Sequence, residues 1–127
     1  MRAVLALPLM LGLCEPDQTA SVRMDRDADW RLTELDGAPF PAEATIRFPA
    51  EGEVVGEGPC NGFRATQTRP YPLFRVAEVA TTRRSCPDLD AEAAFLQALE
   101  AATLARDGGD VLILSNGEGR ELVFRQE

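Results

Sequence analysis

The stretch Gly56-Glu57-Gly58-Pro59-Cys60-Asn61-Gly62-Phe63 limits the folds open to this chain more than any other. It places three glycines, a proline, a cysteine and an asparagine in eight positions, between two runs that alternate like strands. Glycine and asparagine tolerate positive φ and proline fixes φ, so the segment specifies a tight corner rather than a slack loop. Cys60 lies inside the corner, and Cys86 follows downstream, just before Pro87 and a helix-like segment. The expectation is a corner tied to the helix entrance, by a disulfide or by packing.

The flanking runs supply the strands. Trp30–Leu35 alternates apolar and polar positions and meets the turn Asp36-Gly37, with Trp30 and Leu32 expected to face the core. Ala44–Phe48 turns at Glu51-Gly52 into Glu53–Gly56, and Phe63–Gln67 follows the corner. Pro70 and Pro72 place residues 69–72 in a loop, because proline donates nothing to a ladder. Residues 73–79 resume extended structure. Val111–Leu114 and Glu121–Phe124 flank Asn116-Gly117, a strong hairpin signal, and the unbroken apolar run predicts a strand buried on both faces.

A single helix is expected over 88–105. Phe95, Leu99 and Ala102 fall at i, i+4 and i+7, with Leu96 and Thr103 flanking the stripe. Asp88 or Asp90 is placed to cap its start, Glu92 adds negative charge near the positive end of its dipole, and Gly108-Gly109 is placed to stop it. One amphipathic helix among many strands implies an α+β fold: a single domain with a curved antiparallel sheet of about six to eight short strands packed on that helix.

Composition narrows the chemistry. The 127 residues leave room for one domain. Thirteen basic and 21 acidic residues give a net charge of -8, which argues against a nucleic-acid partner, whose phosphates need a basic face. There is no histidine, and every basic residue is arginine. Ser-His-Asp, Cys-His and histidine-zinc sites are therefore closed, as are lysine Schiff bases and P-loops. No acidic residues fall at calcium-loop spacing. The reading is a non-enzyme with no catalytic residue, metal or cofactor.

Met1-Arg2 followed by the apolar run Ala3–Leu13 has the length of a signal-peptide core and is far short of a membrane-spanning helix. Leu11-Gly12-Leu13-Cys14 resembles a lipobox, in which Cys14 would carry lipid. The alternatives are a plain secretory signal or a short apolar N-terminus on a cytosolic protein. The expected division is a leader at 1–14, a polar tether at 15–28 and a domain at 29–127.

The order of these features resembles the META/HslJ-like (DUF306) domain family of small bacterial envelope proteins. The resemblance runs through Trp30, Leu32 and Gly37, then Ile46, Phe48 and Gly52, then the corner residues Gly56, Gly58, Cys60, Asn61 and Phe63. It continues through Thr81, Thr82 and Cys86, the helix residues Glu92, Phe95 and Leu99, and the final hairpin. It implies a curved antiparallel sheet on one helix, a place in the bacterial cell envelope as a periplasmic or membrane-anchored lipoprotein, an association with stress, and no established catalytic activity. The three cysteines then divide into Cys14 for lipid and Cys60 with Cys86 as a disulfide, or alternatively as two buried thiols. The expected function is non-catalytic binding of an unknown envelope partner by a monomer. The alternative is a small-ligand binder or weak hydrolase with a cleft between helix and sheet.

Overall fold

The computed structural model describes residues 19–127. The expected leader and Cys14 lie outside the described residues. Nine antiparallel strands form one sheet: β1 Trp30–Leu35, β2 Ala38–Pro39, β3 Thr45–Arg47, β4 Glu53–Glu57, β5 Gly62–Gln67, β6 Val76–Thr81, β7 Leu104–Asp107, β8 Val111–Ser115 and β9 Glu121–Gln126. The helix α1 spans Leu89–Ala101, between β6 and β7. The strand order is β6-β5-β4-β3-β1-β9-β8-β7, with β2 added to β1. The two-residue β2 brings the strand number one above the expected range.

Local sequence explains the sharp connections. Asp36 and Gly37 both have positive φ (52° and 86°), the backbone a two-residue hairpin loop needs to match strand twist, so β1 turns directly into β2. Two irregularities increase the curvature. The β1–β9 register shifts between Leu32 and Glu34, and the β5–β6 register shifts between Arg64 and Thr66. Glu78, opposite the second shift, takes a φ of 56°. The sheet curls far enough that its edges meet: Leu73 bridges Leu104, the Phe74 amide donates to the Thr103 carbonyl and the Ala105 amide to the Pro72 carbonyl. The result is a strongly curved half-barrel whose seam lies between the segment leading into β6 and the edge of β7.

One core fills the concave side. Trp30, Leu32, Ile46, Phe48, Val54, Phe74, Leu112, Leu114, Leu122 and Phe124 come from the sheet, and Phe95, Ala98 and Leu99 from α1. Phe95 meets Phe63 of β5 edge-on at 5.7 Å between ring centroids and Phe40, just after β2, at 6.4 Å, so one helix side chain packs on both.

Several expectations are corrected. The helix ends at Ala101 rather than at 105, and Leu104–Asp107 is strand β7. The stripe at Phe95, Leu99 and Ala102 is buried, but a strand following directly on a helix continues the apolar run without a signal at the junction. Gly108 and Gly109 therefore turn β7 into β8 instead of stopping the helix. Asp88 occupies the N-cap position without a side-chain cap bond. β8 is not buried on both faces: Leu112 and Leu114 point into the core while Val111 and Ile113 are half-buried outside, because a half-barrel has one interior. Of the expected tether, Thr19–Ala28 lies on the domain, with a 3-10 turn at Ala20–Arg23 and with Ala20, Met24 and Ala28 buried in the core.

Candidate functional site

The corner between β4 and β5 is where the sequence concentrates its unusual residues, and the fold brings α1 and the end of β6 against it. Glu92, on the first turn of α1, is only 6% exposed. Its Oε1 accepts the Cys60 amide at 2.9 Å and the Asn61 amide at 2.7 Å, and its Oε2 accepts Asn61 Nδ2 at 2.7 Å. Asn61 is itself saturated. Its Oδ1 accepts the Thr82 hydroxyl at 2.8 Å and the Arg84 amide at 2.6 Å, and its Nδ2 also donates to the Arg84 carbonyl at 3.1 Å. Those partners fix the side-chain amide in one orientation, because an Arg84 N–H must meet oxygen and Glu92 must meet N–H.

Two opposed effects act on Glu92. Burial pushes its carboxyl up, while the bonds from the Asn61 side chain and the Cys60 and Asn61 amides push it down, and the net result lies below the ordinary value. The carboxylate is thus held ionised as the centre of a three-donor cradle.

The other corner residues serve the same knot. A Cβ on Gly58 would lie 2.7 Å from Glu92 Oε1, so glycine is needed for the carboxylate to reach the loop. Gly56 pairs with Phe63 across β4 and β5, and a Cβ there would collide with the Thr45 carbonyl and the Phe63 ring. The ring covers the bare glycine and then meets Phe95. Cys60 and Cys86 are joined by a disulfide with a Cα–Cα distance of 5.7 Å, fastening the corner to the chain three residues ahead of α1. Trp30 sits apart from this knot as a core anchor, 1% exposed.

The structure therefore brings Gly56, Gly58, Cys60, Asn61, Phe63 and Cys86 together with Glu92. Thr81 is placed differently: it pairs with Phe63 in the ladder but is exposed, and the hydroxyl entering the network belongs to Thr82. The role of Glu92 is not legible in the sequence because a helix-start glutamate ordinarily serves the dipole, and nothing local indicates a loop 31 residues away. Among the described residues, no three His, Cys, Asp or Glu side chains gather as metal ligands.

A concavity of about 580 Å³ lies on the solvent face of β3–β6 and reaches the corner, lined by Arg47, Glu53, Val55, Arg64 and Ala80 together with Gly56, Gly62, Phe63 and Thr82. No residue of α1 lines it. The expected helix–sheet space is instead filled by Phe95, Ala98 and Leu99.

A half-barrel knotted at one corner to its only described helix defines a class of small α+β domain. Residues 22–127 match the META domain, and the chain belongs to the META domain family. No curated protein matches the sequence. Among solved structures, the fold is similar to a DUF4847 family protein from Bacteroides vulgatus, with a TM-score of 0.68 at 14% identity over 84% of this chain and 96% of that one. It is also similar to a protein from Burkholderia xenovorans, with a TM-score of 0.64 at 20% identity over 98% and 99% of the two chains.

Proposed function

We propose that this protein is a non-catalytic domain of the bacterial cell envelope that acts by binding a partner, with a role in envelope maintenance or stress. The observation that carries the reading is how Glu92 is used. A buried carboxylate of shifted pKa is the usual mark of an active site. Here its two oxygens accept three bonds from the corner, which consumes it in holding the fold. The absence of histidine and lysine from the sequence supports the same reading. What the domain offers to other molecules is then its outer surface. The envelope assignment rests on the leader pattern and the lipobox at Cys14, and a disulfide suits an oxidising compartment.

The test is complementation of a strain lacking the gene under envelope stress, with intact mass measured on membrane and soluble fractions. Wild-type protein restores growth and appears in the membrane as a species starting at Cys14 with added acyl mass. Cys14→Ser yields a soluble form that does not complement. Turnover of ester, peptide or glycoside substrates by the purified protein overturns the non-catalytic reading.

The second reading, a small-ligand binder, is favoured by one observation, the concavity on β3–β6 with Arg47 and Arg64 beside Glu53 and Glu57. Its site would be that face rather than a helix–sheet cleft.

A further inference from the structure

Two of the three large apolar side chains most exposed among the described residues meet at the half-barrel seam. Leu73 is 43% exposed and Leu104 40%, and they face each other across the isolated bridge that joins the sheet edges. On one side they adjoin a hollow of about 270 Å³ lined by Tyr71, Pro72, Arg106 and Ile113. On the other they adjoin one of about 220 Å³ lined by Arg69 and Arg75. The two leucines and the hollows beside them make a small apolar strip on the surface.

The strip is also flanked by positive charge. Arg69, Arg75 and Arg106 are exposed beside it and have no ion-pair partner among the described residues, as is also true of Arg64, Arg83, Arg84 and Arg125 elsewhere on the surface. Arg23 joins them, its guanidinium 4.3 Å over the Tyr71 ring. Two acidic residues lie nearby. Glu121 lines the first hollow, and Asp107 is turned toward its own loop, accepting the Gly109 amide. Four arginines thus surround a strip of leucine, tyrosine and proline.

The path of the chain points the same way. Arg23 ends the 3-10 turn that opens at Ala20, and Cys14 precedes Thr19 by five residues, which span at most about 18 Å of extended chain. A membrane anchor at the N-terminus would tether the domain through the segment that lays Arg23 on Tyr71 at the seam.

We propose that the seam is a membrane-docking surface, with Leu73 and Leu104 entering the headgroup region and Arg23, Arg69, Arg75 and Arg106 contacting anionic phospholipid headgroups. The inference rests on the envelope reading for where the membrane is, while the chemistry of the surface stands on the seam itself. Docking would leave the β3–β6 face and the corner free for a partner.

The experiment is flotation of the purified full chain with phosphatidylcholine vesicles, with and without phosphatidylglycerol. Wild type binds the anionic vesicles, and binding falls as salt rises. The triple variant Arg69→Ser/Arg75→Ser/Arg106→Ser loses about fivefold in partitioning per arginine. Leu73→Ser/Leu104→Ser loses roughly tenfold, with circular dichroism confirming that the fold is retained. A charge-matched control, Arg47→Ser/Arg83→Ser/Arg84→Ser, away from the seam, stays within about threefold of wild type. All variants carry the same apolar N-terminus, so binding that survives both seam variants belongs to that segment and overturns the proposal. Equal binding to both vesicle types, or none, also overturns it and leaves the seam to a protein partner. Loss of the Cys14 species from membranes would sink the envelope reading without touching the vesicle result.

Discussion

Asn61 and Glu92 form a closed account of donors and acceptors at the corner, so changes there should cost more than their size suggests. Asn61→Asp keeps the shape but turns a donor toward Glu92 into a second carboxylate and sets like charges in contact. A loss of about 3 kcal/mol is expected in denaturant unfolding. Glu92→Gln sets an amide N–H against Asn61 Nδ2, donor against donor, and should cost about 2 kcal/mol. The pH dependence follows from the lowered carboxyl. Because Glu92 is more acidic folded than unfolded, its contribution is complete above the ordinary carboxylate range and is lost as pH falls through the folded value. Acid titration of stability should show a component in wild type that Glu92→Gln lacks. An equal slope in both proteins would show that the carboxylate is not held ionised by the cradle. Trp30 presents the opposite case. Its Nε1–H has no partner among the described residues, so Trp30→Phe gives up volume and no hydrogen bond. That change should be milder than Trp30→Ala, which opens a cavity worth about 3–5 kcal/mol.

At the scale of elements, α1 is held by what it covers. Its exposed face brings little, and Phe95, Ala98 and Leu99 are wholly buried against the sheet. Leu99→Ala should therefore cost about 3 kcal/mol, measured by thermal or denaturant unfolding. β4 and β5 are held in register by the Gly56–Phe63 pair, and Gly56→Ala forces a methyl into the Thr45 carbonyl and the ring. That substitution should abolish cooperative folding or shift it severely, whereas Gly117→Ala, with open space around it, pays only for its φ of 74°. The helix end shows why elements read from periodicity drift. Ala101 to Ala105 keeps apolar spacing that suits either structure, and the hydrogen bonds from Phe74 and Ala105 across the seam decide for a strand.

For the whole molecule, the disulfide closes a loop across 26 positions and joins the corner, the end of β6 and α1 into one unit. Reduction, or the Cys60→Ala/Cys86→Ala variant, should lower stability by about 3–4 kcal/mol by freeing the unfolded chain. The far-ultraviolet spectrum should stay unchanged, because the strand ladders and the core do not run through the bridge. A melting curve identical with and without reductant would mean that packing alone secures the corner. The acidic balance of the chain acts at this scale too, since it sets the arginines around the seam in a surface that is negative overall.

Local sequence was enough for the α+β class, the first strand and its turn, the β3–β4 and β8–β9 hairpins, the helix stripe and the identity of the special corner. Each of these is written in local periodicity or in residues whose backbone preferences are their own. The folded contacts alone show that Glu92 serves the corner, that Thr82 rather than Thr81 completes the network, and that Leu104–Asp107 is an edge strand. They also place Leu73 beside Leu104. These depend on contacts between residues far apart in the chain, and a side chain's spacing along its own element carries no information about which distant donor, ring or edge the curvature of the sheet will bring to it.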